Sequence, residues 1–71
     1  MDNAQIFALR LKNARLLKNM SMAALSNALG DLVSPQAIYK YESGKMLPSS
    51  NVIIELSRIF EVPMDYFFRP V

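Results

Sequence analysis

Residues 21–44 read SMAALSNALGDLVSPQAIYKYESG, and the fold of the chain turns on how that stretch divides. Ser21 suits a helix N-cap, because its hydroxyl can accept from a backbone N–H that the first turn leaves unpaired. Behind it Ala24, Leu25, Ala28 and Leu29 form an apolar stripe at helical spacing. Gly30 tolerates the left-handed conformation that commonly closes a helix, so a short helix is expected over about 22–29. Ser34-Pro35 opens the next one. Proline holds the residue before it extended, as an N-cap must be, and itself suits the first helical position, where no N–H is missed. This second helix is expected to run from about Pro35 to Glu42 and to stop before Gly44.

The flanks extend the same pattern. Asp2 with Gln5 three residues on has the form of a capping box, with Asp in place of the usual Ser or Thr. Ile6, Phe7, Leu9, Ala14, Leu16 and Leu17 recur at helical spacings, while Arg10, Lys12, Arg15 and Lys18 take much of the other surface. The spacing predicts a first helix over about 3–18, with Arg15 and Lys18 on its solvated face. After the extended link Met46-Leu47-Pro48, Ser49 or Ser50 caps a fourth helix, which ends near Phe60 with Ile53, Leu56 and Phe60 inward. Val62-Pro63 breaks the chain, and Met64 to Phe68 forms a last short helix with Asp65 near its positive end. Val52-Ile53-Ile54 is β-prone but lies inside a helical pattern. The expected fold is all-α: five short helices in one compact domain over residues 1–71.

Composition narrows the function. At 71 residues the chain holds one small core. Cys and His are both absent, which removes disulfides, thiolate chemistry, the commonest metal ligand and the commonest general base. Ser, Asp and Glu occur without a suitable partner for nucleophilic catalysis, so neither an enzyme nor a cofactor or metal site is expected. No apolar run approaches the roughly 18 residues of a membrane span. The start, Met1-Asp2-Asn3-Ala4-Gln5, lacks the form of a signal peptide, so the expected location is the cytoplasm. Net charge is +2, but residues 1–45 carry +3 and residues 46–71 carry −1. A basic front points to a polyanion partner; a merely solvated helix face is the plainer explanation of the same charges.

Residues 21–44, read as S-x-x-x-L-S-x-x-L-G, a brief turn and S-P-Q-A-I-Y-K-Y-E-S-G-K, resemble the helix-turn-helix of the lambda-repressor and Cro-like (XRE-type) regulators. The ending I-x-x-Y-E-S-G-K-x-x-P-S, from Ile38 to Ser49, is the most specific part, and the likeness covers nearly the whole chain. The resemblance implies a recognition helix over Ser34 to Lys45 lying in the DNA major groove, with the preceding helix across the backbone. Independently, a helix of eight residues is about 12 Å long, close to the width of that groove. Two departures stand out. Met22 occupies a position where the family often has a phosphate-binding Gln, and the turn Gly30–Ser34 is about two residues longer than the family's common one.

The resemblance also assigns roles. Gln36 takes an outward position that commonly touches bases, and an amide there can pair with adenine N6 and N7; otherwise it is a solvated surface amide. Lys40, one turn on, can reach guanine or, less demandingly, a phosphate. Tyr39 packs on a thymine methyl or sugar, or merely covers the surface. Ala37 lets the helix sit deep, and Pro35 offers only apolar contact. Tyr41 aligns with an aromatic that is mostly core. Ser34, Ser43, Gly44, Lys45 and Arg10 are the expected phosphate contacts, with backbone N–H groups near Gly44 forming part of the cradle. Gly44 also suits a helix end whatever the function. Arg10 and Glu42 resemble a family pair joining the first helix to the end of the recognition helix.

The function implied is sequence-specific binding of double-stranded DNA by a transcriptional regulator, a repressor by preference. The rival from another class is a protein-interaction or antitoxin-like module with little DNA binding of its own. Val52, Ile54, Ile59, Phe67 and Phe68 exceed what one inner face should need, so they are the expected interface with a second copy or with a further C-terminal domain. The ending Phe67-Phe68-Arg69-Pro70-Val71 looks like that of N-terminal domains in longer regulators with a metallopeptidase-like C-terminal domain.

Overall fold

Asp2 starts the first helix by the reciprocal arrangement its sequence implies: Gln5 N–H donates to the Asp2 carboxylate at 2.9 Å, and Asp2 N–H donates to Gln5 Oε1 at 2.9 Å. From there the computed structural model, which describes all residues Met1–Val71, runs through α1 (Asn3–Leu17), α2 (Met22–Ala28), α3 (Pro35–Glu42) and α4 (Ser50–Phe60) to a closing 3-10 turn, Met64–Phe68, with no strand. No helix is long and apolar enough to cross a membrane. There are thus four α-helices and not five. The last element has five residues, preceded by Pro63 and followed two positions on by Pro70. In that space it closes i→i+3 bonds: Tyr66 N–H donates to the Pro63 carbonyl at 3.0 Å and Arg69 N–H to the Tyr66 carbonyl at 3.3 Å.

All four α-helices end by the same device. The residue past the end turns left-handed, at Asn19 (φ 55°), Gly30 (φ 64°), Gly44 (φ 73°) and Glu61 (φ 56°). The following N–H then reaches back to the last turn, as Met20 does to the Arg15 carbonyl and Lys45 to that of Lys40. Between α2 and α3 Asp31 is left-handed too (φ 62°), so two successive reversals take up the longer turn. Ser26, buried in α2, fastens the far side of that turn by donating its hydroxyl to the Val33 carbonyl at 2.7 Å.

Phe7 is the hub of the core and is fully buried. Its ring lies 6.4 Å from Tyr41 of α3, 5.4 Å from Phe67 and 5.7 Å from Phe68. α1 therefore packs on both α3 and the 3-10 turn, while α2 packs on α3 and α4 on the turn. The inner face of α1 is Phe7, Ala8, Leu11, Ala14 and Arg15, which differs from the sequence reading at its C-terminal half. Leu16 and Leu17 are instead 52% and 82% exposed. The expected interface on α4 and the last turn is corrected as well. Val52 and Phe67 are core residues, and Ile59 and Phe68 pack against that core, which leaves Ile54 alone outside it. Adjacent Phe67 and Phe68 both reach Phe7, so neither is free for a partner.

The expected pair of Arg10 with Glu42 is also replaced. Arg15 is the partner: its Nε donates to Glu42 Oε2 at 2.7 Å, its Nη2 to Oε1 at 3.0 Å and its Nη1 to the Met20 carbonyl at 2.8 Å. Arg15 belongs with Leu11 and Ala8 at helical spacing, so it faces α3; Arg10 faces the C-terminal segment. There Arg10 donates from Nε to the Arg69 carbonyl at 3.1 Å and from Nη2 to that of Pro70 at 2.6 Å, with its guanidinium 5.4 Å from the Tyr66 ring centroid. Arg15→Ala strands a carboxylate whose side chain is only 4% exposed, and removing one partner of a buried pair costs roughly 3–5 kcal/mol. Arg10→Ala leaves that pair intact and is expected to cost about 1 kcal/mol. Urea unfolding of the two variants checks the order; equal losses would contradict it.

Candidate nucleic-acid interface

The candidate surface is built on α3, whose start is fixed by two adjacent residues. Ser34 accepts from Ala37 N–H at 3.1 Å, and Pro35 takes the first helical position. Ile38 and Tyr41 are the buried residues of this helix, which holds its inner face on the core. Gln36, Tyr39, Lys40 and Ser43 then share the opposite face, since offsets of three, four and seven residues return to nearly the same azimuth. All four are exposed. Ala37 and Pro35 are half-buried, with Ala37 packed against the core. Of the residues expected at bases, Gln36, Tyr39 and Lys40 stand clear, while Ala37 and Pro35 flank them.

The C-terminal end of α3 differs from the expected phosphate cradle. Ser43 N–H donates to the Tyr39 carbonyl at 2.9 Å, Gly44 N–H to that of Tyr41 at 3.2 Å and Lys45 N–H to that of Lys40 at 3.1 Å. The Ser43 hydroxyl donates to the Tyr39 carbonyl as well, at 2.6 Å. These donors are spent closing the helix, so Ser43 and Gly44 shape the end of α3 and do not form an anion nest. Arg10 is likewise committed to the C-terminal carbonyls. Lys45 remains exposed, its ammonium 5.8 Å from the centroid of the Tyr39 ring, within range of a cation–π contact. That contact and the role of Arg15 escaped the sequence reading. The second was within reach of it, because Arg15 falls eight positions after Phe7 and four after Leu11, on the apolar stripe itself.

Electrostatics follow from these partners. The hydrogen bonds it donates to the Glu42 carboxylate hold the Arg15 guanidinium above its ordinary pKa, with the carboxylate's charge adding to them against the opposing effect of burial. Arg15 therefore stays charged at every ordinary pH. Burial pushes the Tyr41 phenol up, because the phenolate would lose its solvation.

The helix-turn-helix family model matches residues 11–67, which include α2, the turn and α3. The chain belongs to the helix-turn-helix family. Over 54 residues it is 39% identical to a protein of Methanococcoides burtonii named as an HTH-type transcriptional regulatory protein, covering 76% of this chain and 16% of that one. Over 60 residues it is 37% identical to an uncharacterized HTH-type transcriptional regulator of Sinorhizobium fredii, covering 84% of this chain and 41% of that one. The helix-turn-helix chain thus spans less than half the length of these curated relatives. No solved structure matches it.

The Tyr41 shift has a consequence for this helix-turn-helix. An unfolded tyrosine ionises near pH 10, and the folded state holds the proton beyond that. The stability this proton contributes is complete below about pH 10 and is lost as pH rises through the folded value. Tyr41→Phe should unfold like wild type at pH 7 and resist alkali better, as circular dichroism across pH 9–12 would measure.

Proposed function

We propose that the chain is a sequence-specific double-stranded DNA-binding domain of a transcriptional regulator, with α3 entering the major groove. The observation that carries this reading is the division of α3 into a face fastened to the core and an outer face of Gln36, Tyr39 and Lys40. Gln36 pairs with an adenine edge, and Lys40 reaches a guanine or a neighbouring phosphate. The ammonium of Lys45 and the exposed hydroxyl of Ser34 fix the docking register on phosphates. Both relatives are named as HTH-type transcriptional regulators, which supports the regulatory role. The protein acts in the cytoplasm as a repressor, since occupying a site excludes other proteins and needs no activating surface.

Two copies bind together on two half-sites. One small module offers roughly 600–1,000 Å² to DNA, and a second copy on the same duplex multiplies affinity through effective concentration. The paired recognition helices then lie about 34 Å apart, and the site is near-palindromic.

Selection of bound sequences from random duplexes, followed by binding measurements at several salt concentrations, tests the reading. Gln36→Ala should relax preference at one base pair by roughly 1–3 kcal/mol, whereas Lys45→Ala should weaken all duplexes alike and reduce the salt slope by about one. Affinity for duplex DNA that is absent or independent of salt would favour the interaction-module alternative.

A further inference from the structure

We propose that the two grooves beside Leu17 are a docking surface for an acidic amphipathic segment of a partner protein. This function is additional to DNA binding and does not depend on it. Leu17 ends α1 and is the most exposed large apolar side chain of the chain, more so than the terminal Met1 and Val71. A single exposed leucine needs no explanation. Leu17 and Tyr66, however, border both of two adjoining grooves, of about 450 and 300 Å³. Leu16 lines the first and Val62 the second, so the apolar floor runs across the two. A contiguous apolar surface with a polar rim marks an interaction site.

The rim decides the charge of the partner. Arg10 borders the first groove and Lys18 the second, and no Asp or Glu lines either. Lys18 is exposed and has no acidic partner. Arg10 donates to the carbonyls of Arg69 and Pro70, which orient its charge without neutralising it. Of the acidic residues nearby in sequence, Asp65 is paired with Arg69 at 3.0 Å, and Glu61 lies outside both linings. An acidic side chain at the edge of a bound segment therefore meets uncompensated positive charge. A second copy fits less well, because a two-fold contact sets a patch against itself and brings the cationic rims together. Duplex DNA matches the rim but not the floor, since phosphates gain nothing from Leu16, Leu17 and Val62.

The placement leaves α3 uncovered. Arg15 faces α3, and Leu17, two residues on, points about 200° around α1 from it. A segment seated beside Leu17 thus leaves Gln36 and Lys40 open, so docking and DNA binding proceed together. The floor is also preformed, with the Arg10 guanidinium 5.4 Å from the Tyr66 ring centroid, and a preformed floor lowers the cost of binding. Two grooves side by side suit two apolar anchors one helical turn apart, as when an amphipathic helix lies in a groove.

The test offers a displayed library of random short peptides to the full chain and sequences those retained. They should carry two large apolar residues at helical spacing and at least one Asp or Glu. The tightest of them, synthesised, should bind Leu17→Gln about tenfold more weakly than wild type. Lys18→Glu should weaken it about fivefold, and changing the peptide's acidic residue to Lys should restore its affinity for that variant. Both substitutions are at exposed positions, so circular dichroism should show both variants folded. Retention of no acidic peptide, or equal binding of the peptide by Leu17→Gln and wild type, would overturn the proposal. So would sedimentation showing a dimer of the free chain that Leu17→Gln abolishes, which assigns the face to a second copy. Loss of duplex binding by Leu17→Gln would assign the face to DNA and overturn the proposal as well.

Discussion

The bidentate pair between Arg15 and Glu42 is the constraint on which the outer face of α3 depends. Their side chains are 10% and 4% exposed, so neither charge has enough water around it to stand alone. Glu42 is the last residue of α3, and Arg15 lies near the end of α1, so the pair fixes the C-terminal end of α3 against α1. Arg15 also donates to the Met20 carbonyl, just before α2 begins. One guanidinium thus binds together the ends of three consecutive segments. A hydrophobic pair could fill the same volume, but it would not specify the rotation of α3 through two parallel hydrogen bonds.

The rest of the site follows from that anchoring. With Ile38 and Tyr41 against Phe7, and Glu42 tied to Arg15, the outward azimuth of α3 is set for Gln36, Tyr39 and Lys40. The other end is set by the turn, where left-handed Gly30 and Asp31 and the Ser26 hydroxyl hold Val33 one residue before the cap of α3. A face pinned at both ends is preorganised, which under the proposed DNA-binding reading favours discrimination between sequences. A different face carries the exposed apolar side chains of α1. Leu17 there borders a shallow groove with Ala14, Phe60, Val62 and Tyr66, and Lys18 stands at its rim.

Much of this arrangement was legible in the sequence, and the failures have physical reasons. Ser34-Pro35 announced the start of α3 because proline constrains backbone and neighbour alike. Gly30 and Gly44 announced two helix ends, whereas Glu61 ends α4 in the same conformation without any such signal. Leu16 and Leu17 are hydrophobic yet exposed, while the arginine on the true stripe is charged yet buried, so residue type alone does not give the inner face of α1. Arg10 and Arg15 are chemically alike, and only the three-dimensional direction of α1 decides which meets Glu42. The phosphate cradle failed for a related reason: whether a backbone N–H near a helix end is free depends on how that helix closes.

The central claim is that the outer face of α3 is where duplex DNA docks. Backbone and side-chain NMR shifts of the whole chain, followed while a selected duplex is added, test it most directly. The account predicts the largest changes at Gln36, Tyr39, Lys40 and Lys45, with Leu16, Leu17 and Tyr66 little affected. Changes centred on Leu16, Leu17 and Tyr66, with α3 unmoved, would contradict it.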